Sequence, residues 1–174
     1  MKKQMQFKNL LLRITLPALA GLLFFTQPAA AILQKGDPAP PIKLTTTSGQ
    51  PITLSNYKGY VLVMDFFATW CIPCKEAIPH LNSMRAKYGK QGLQVLGVSV
   101  DEGSDRDLKT FINERKISYP VAIANEDMQT EYGLRSIPTV FVINKKGVVV
   151  ERFQGFSDQT AKAMEDTIKR LLAE

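Results

Sequence analysis

From Tyr60 to Ala68 the chain is apolar at nearly every position, with Asp65 alone interrupting a run rich in Val and Phe. An alternating pattern would suit a sheet with one wet face, whereas a continuous run requires a strand covered on both faces. Directly afterwards the period changes. Ile78, Leu81, Met84, Arg85 and Tyr88 recur at helical spacing over Lys75 to Tyr88, and Gly89 and Gly92 end the helix. A doubly buried strand that feeds a helix demands a layered α/β fold.

The remaining segments supply the layers. Leu93 to Val100 reads as a second buried strand and Ser104 to Lys116 as a second helix, opened by acidic and hydroxyl residues. This βαβ order implies a parallel pair joined by a right-handed crossover. Upstream, the rigid stretch Pro38 to Pro41 leads into short strands over Ile42 to Thr47 and Gln50 to Leu54, turned at Ser48-Gly49. Downstream follow a short segment Val121 to Ala124, a brief helix around Met128 to Tyr132, and strands over Thr139 to Asn144 and Val148 to Phe153. The turn Lys145-Lys146-Gly147 between those strands is short enough for an antiparallel hairpin. Asp158 to Leu172 repeats apolar positions at Ala161, Met164, Ile168, Leu171 and Leu172, which predicts an amphipathic terminal helix. Pro79 is expected to kink the first helix. With no repeat and no internal linker, one domain is expected over residues 32–174.

A net charge of +6 and a pI near 9.3 suggest an anionic partner. Lys2, Lys3, Lys8 and Arg13 carry four of those charges in a segment without acids, however, which leaves +2 for the remainder. A body that close to neutral does not call for nucleic acid. Residues 1–31 run from a basic start through the apolar stretch Ile14 to Phe25 to Gln27-Pro28-Ala29-Ala30-Ala31, the order of a secretory signal peptide cleaved after Ala31. Roughly a dozen apolar residues are short for a span that needs ~20, although an uncleaved anchor starting at Leu10 is the alternative. The protein is therefore expected in the periplasm or on the outer face of the cytoplasmic membrane.

Cys71 and Cys74 are the only cysteines. A crosslink between such near neighbours restricts the unfolded chain little, so the pair reads as chemistry rather than a staple. Structural zinc wants four ligands, and His80 is the single histidine of the chain. Haem attachment would need histidine directly after the second cysteine, where Lys75 stands. No metal or cofactor is expected. At the junction of strand and helix, unpaired N–H groups and the helix dipole favour a Cys71 thiolate, which makes Cys71 the attacking thiol. Cys74, about one turn further on and deeper, is placed to displace a substrate from a mixed disulfide. A carboxyl at Asp65 inside a buried strand is costly, and burial raises its pKa toward neutrality. The alternative is a strand-end acid that reaches solvent.

Trp70-Cys71-Ile72-Pro73-Cys74, after a buried strand and before a helix, resembles the thioredoxin active site, and Ser136-Ile137-Pro138-Thr139 resembles its cis-proline loop. The secretory start, Gly36-Asp37-Pro38-Ala39-Pro40 and the long segment before Ile137 narrow the resemblance to exported TlpA/ResA-like thiol-disulfide oxidoreductases, over nearly all of residues 33–174. The resemblance implies a thioredoxin fold, a central mixed sheet flanked by helices, with an N-terminal strand extension and a βα insertion. It implies that Asp65, six residues before Cys71, accepts the proton of Cys74. It also implies a cis bond before Pro138, and a client-binding surface built from Trp70, Ile72, Pro73, Ile137 and Pro138. The expected partners are client proteins with disulfides and a membrane-embedded thiol carrier as reductant, with the protein acting as a monomer.

Two departures from the family pattern bear on mechanism and substrate. No lysine lies in Leu93 to Val100, where thioredoxins supply a partner for the aspartate. Ala77 stands where members that prepare apocytochrome c commonly carry glutamate, and the adjacent Glu76 is about 100° away around the helix. A general exported thiol reductase is the reading that remains. The uncharged Ile72-Pro73 offers nothing to stabilise a thiolate strongly, as an oxidase would. His80, Lys109, Arg115 and Lys116 read as solvated surface. A thiol peroxidase of the peroxiredoxin type would normally show P-x-x-x-T-x-x-C, whereas Thr69 lies two residues before Cys71 with no such proline. A redox-inactive binding module of the same fold would not need the intact cysteine pair.

Overall fold

A computed structural model describes residues 33–102 and 105–174; the secretory segment read over residues 1–31 lies outside the described residues. In chain order the elements are β1 (Lys43–Thr45), β2 (Pro51–Thr53), β3 (Val61–Phe67), α1 (Ile72–Tyr88), β4 (Leu93–Ser99) and α2 (Asp105–Glu114). They continue with β5 (Val121–Ile123), α3 (Glu126–Glu131), β6 (Thr139–Ile143), β7 (Val149–Gln154) and α4 (Asp158–Leu172). All the expected elements form, and most ends move by a residue or two. The exception is α1, which begins at Ile72 rather than Lys75. Cys71 caps it, its Sγ accepting the Cys74 N–H, and Pro73 brings a φ already suited to a first turn. Ser104, the expected start of the second helix, lies outside the described residues. Pro79 sits within α1 without ending it, and its missing N–H leaves the Lys75 carbonyl without a helical partner.

Five strands form one mixed sheet in the order β5-β4-β3-β6-β7, with β3, β4 and β5 parallel and β6 antiparallel to both β3 and β7. The path β3 to β4 to β5 steps in one direction across the sheet. Successive right-handed crossovers therefore lay α1 and α2 on the same face. Val61, Val63 and Phe67 of β3 join the core beneath α1, α2 and α4. Leu62, Met64 and Phe66 point the other way, and that face receives no helix from either crossover. It is closed by the leading segment, through Leu33, Ile42, Leu44 and Ile52, and by Met128 and Tyr132 at α3. This is the expected N-terminal extension, while β5 and α3 form the βα insertion ahead of β6.

The leading segment reaches both edges of the sheet. Beside β7, Gly36 N–H donates to the Val149 carbonyl at 2.8 Å, and Val149 N–H donates to the Asp37 carbonyl at 2.9 Å. Beside β5, Thr47 N–H donates to the Val121 carbonyl at 2.8 Å. Ladder groups that would otherwise offer open edges are thus occupied. Midway, the Tyr132 hydroxyl donates to the Pro40 carbonyl at 2.8 Å, while its ring lies 5.4 Å from that of Phe66 and 5.3 Å from that of Phe141. Tyr132→Phe keeps the ring and leaves the Pro40 carbonyl unpaired, so it should cost about 1–2 kcal/mol. The check is urea unfolding, in which the midpoint falls with an unchanged slope; an unmoved midpoint would show that this bond does not hold the segment.

Candidate active site

The cysteines lie at the carboxyl ends of β3 and β4, where parallel sheets place their sites. Between β3 and α1 the chain turns through Ala68, Thr69 and Trp70, and Asp101 holds that turn. Its carboxylate accepts the Thr69 N–H at 3.0 and 3.1 Å, the Thr69 hydroxyl at 2.9 Å and the Ser99 hydroxyl at 2.7 Å. Cys71 N–H donates to the Ala68 carbonyl at 3.2 Å, which closes the turn onto the helix start. Sequence reasoning missed Asp101. The signal that could have found it is an acid just past the end of the buried strand that neighbours the cysteine-bearing one.

Cys71 and Cys74 are joined as a disulfide, so the structure shows the oxidised protein. Cys71 retains 5% exposure and Cys74 none, which agrees with an outer and an inner sulfur. The Cys74 N–H donates to Cys71 Sγ at 3.3 Å. After reduction the same N–H and the α1 dipole face a Cys71 thiolate, and no acid in the first turn opposes it. Trp70 and Ile72 on either side are each 69% exposed, an unusual degree for such large apolar groups, and Pro73 is half-buried. Ala77 is buried on the inner face of α1 while Glu76 is exposed, as the rotation per residue requires.

The Ile137–Pro138 peptide bond is cis. Pro138 is buried, and Ile137 packs against the cluster that contains Cys71 and Cys74. The loop is held by the Thr139 hydroxyl on the Ser136 carbonyl at 2.7 Å and by Gly155 N–H on the Pro138 carbonyl at 2.8 Å. None of the loop hydrogen bonds among the described residues involves Ile137. His80 departs from its expected place in solvent. It is half-buried, its ring centroid lies 6.0 Å from that of Phe156, and its Nε2 has no partner among the described residues. It occupies a side of α1 that the segment after β7 covers. Lys109, Arg115 and Lys116 are exposed as expected.

Asp65 lies between Val63 and Phe67 on the face that packs beneath α1, paired with Gly97 on one side and Val140 on the other. It is fully buried, and neither carboxyl oxygen has a hydrogen-bond partner among the described residues. It does not reach solvent. Burial pushes its pKa up to about 7. From the ordinary carboxylate range up to about pH 7, the folded protein holds a proton that the unfolded chain has lost, so stability falls as pH rises through this window. At ~1.4 kcal/mol per pH unit the accumulated cost above neutrality is on the order of 4 kcal/mol. Asp65→Asn should remove this slope. Urea unfolding at pH 4.5 and pH 8 should find the variant several kcal/mol more stable than the parent at the higher pH and little changed at the lower. A parallel pH response of the two proteins would show that Asp65 does not titrate there.

The AhpC/TSA family model matches residues 35–152. The thiol-disulfide oxidoreductase ResA of Bacillus thuringiensis (strain Al Hakam) is 34% identical over 140 residues, covering 80% of this chain and 79% of that protein. ResA of Bacillus thuringiensis subsp. konkukian is 30% identical with 98% of each chain covered. Among solved structures, a putative thiol:disulfide interchange protein DsbE from Chlorobium tepidum matches with a TM-score of 0.76 at 34% identity, over 80% of this chain and 99% of that one. Fold, cysteine placement and relatives thus agree that the chain belongs to the AhpC/TSA family of thioredoxin-like proteins, as a thiol-disulfide oxidoreductase of the ResA/DsbE type.

Proposed function

We propose that the protein is exported and reduces disulfides in extracytoplasmic client proteins, drawing electrons from a membrane-embedded thiol carrier. The observation that carries this reading is the exposed apolar pair Trp70 and Ile72, set around the Cys71 sulfur with Cys74 enclosed behind it. An apolar rim in water favours an apolar or unfolded client segment over a small polar oxidant. Ile137, with its backbone left out of the loop hydrogen bonds, offers such a segment a short strand to pair with, beside Pro138 and Pro73. Export rests on the signal-like order of residues 1–31.

In the reduced protein the Cys71 thiolate attacks one sulfur of the client disulfide. The first client thiolate leaves and takes a proton from water. Asp65 then accepts the Cys74 proton, and the Cys74 thiolate attacks Cys71 Sγ. The second client thiolate departs, so two electrons have passed to the client and the Cys71–Cys74 disulfide remains. A dithiol on the membrane carrier reverses these exchanges to restore the pair. A carboxyl that titrates near pH 7 suits the middle step, because it is a competent acceptor there and releases the proton readily.

Cys74→Ser, with Cys71 reduced, should accumulate a mixed disulfide with unfolded clients that carry disulfides, and Cys71→Ser should accumulate none; the opposite pattern would reverse the two roles. Equilibration with glutathione should place the potential toward the low end, nearer the about −270 mV of thioredoxin, whereas about −120 mV would overturn the reducing direction. Insulin reduction should exceed peroxide consumption in parallel thiol-driven assays. Faster turnover of peroxide would favour a peroxidase instead.

A further inference from the structure

Gly97 stands directly opposite Asp65 across the parallel β3–β4 ladder, and both positions face the core beneath α1. Lacking a side chain, Gly97 opens a space beside the carboxyl. Tyr119, from the segment just ahead of β5, fills it together with Phe67 of β3 and Val121 of β5. A Cβ built at Gly97 would lie 3.1 Å from Tyr119 Cε2, the ring carbon next to the one that bears the hydroxyl. The Asp65 charge acts on the Tyr119 hydroxyl although no direct hydrogen bond joins the two groups, so one bridging water is the connection that the ~4.8 Å spacing of neighbouring strands allows. The Tyr119 hydroxyl is itself buried without a hydrogen-bond partner among the described residues, as are both Asp65 oxygens. Two such orphans on one face of one core are hard to account for separately, since each costs desolvation unless paired.

We infer that Tyr119 is a positioning residue for Asp65, its hydroxyl hydrogen-bonding the carboxylate through one water and setting the pH at which that group ionises. This rests on the reading of Asp65 as the proton acceptor for Cys74. Burial first, and then the Asp65 charge, keep the Tyr119 hydroxyl protonated well above its ordinary range, so it remains a donor throughout the working pH. Of the other titratable groups on the elements packed here, His80 of α1 lies beside Phe156, its Nε2 without a partner among the described residues. Cys71 and Cys74 come from α1, as does Tyr88 at the far end, whose hydroxyl donates to Glu165. Asp101, past the end of β4, is taken up by Thr69 and Ser99. The buried side chains that α2 and α4 turn toward the core are apolar. Tyr119 thus brings a neutral donor toward a carboxyl that has no lysine beside it in Leu93 to Val100.

The test is a 13C titration of the Asp65 carboxyl in the oxidised full-length protein, with Asp65→Asn to assign the signal. Tyr119→Phe keeps the ring over Gly97 and removes only the donor. It should raise the Asp65 midpoint by about one pH unit or more, the loss of one hydrogen bond to a charged group. An unmoved midpoint would overturn the inference. Should the variant fold poorly, the parent protein still decides: its Tyr119 13Cζ signal should shift with the Asp65 midpoint, and a flat signal would refute the pairing. The midpoint does not depend on the redox step, so the two readings fail separately. If Tyr119→Phe moves the Asp65 midpoint while the rate of Cys74 displacement keeps the parental pH profile, the pair stands and Asp65 is not the base.

Discussion

Burial of β3 on both faces is the constraint from which the remaining structure follows. A strand in the middle of a mixed sheet, with every residue from Val61 to Phe67 buried, needs two complete covers. Right-handed crossovers provide only one of them, because the strand order steps in a single direction and puts α1 and α2 on the same side. The other cover comes from residues ahead of the sheet, held at β7, at β5 and at Tyr132. The extension is therefore part of the core and not an appendage to it. The end of β3 in turn fixes where the chain enters α1, and with it the position of the cysteines.

At Asp65 this arrangement works against stability. A domain of this size is held by roughly 5–15 kcal/mol in total, so a buried carboxyl that costs several kcal/mol above neutrality is a large fraction of the margin. An apolar residue there would be more stable. Such a costly group is expected where it does chemical work, and its place under the cysteine-bearing turn, on the same core face, is consistent with proton transfer. The clamp of Asp101 on Thr69 has the opposite character. Its three donors satisfy a carboxylate at the rim, and it stiffens the turn without charging the interior.

Most of this was legible in the chain before folding, for identifiable reasons. The cysteine spacing, the change from strand to helix period and the acid inside an apolar run are local patterns, and local patterns survive in the sequence. The start of α1 is not visible as a local pattern because Cys71 caps the helix through a sulfur, whereas the usual caps are Ser, Thr, Asp and Asn. The neighbours of His80 in the chain suggest an exposed turn of α1, while Phe156, which lies beside it, is contributed by a segment far along the chain.

By itself the sequence determined the fold class and the cysteine pair at the start of α1, since each follows from residues within a few turns of one another. Only the tertiary structure decided what surrounds them. The Asp101–Thr69 clamp joins the ends of two strands, and the leading segment meets both sheet edges. Tyr119 packs over Gly97, which stands opposite Asp65 on the neighbouring strand, at a register that no local pattern encodes. Register is set by the packing of whole faces, and a shift of one residue would turn Asp65 to the opposite core and away from the cysteines.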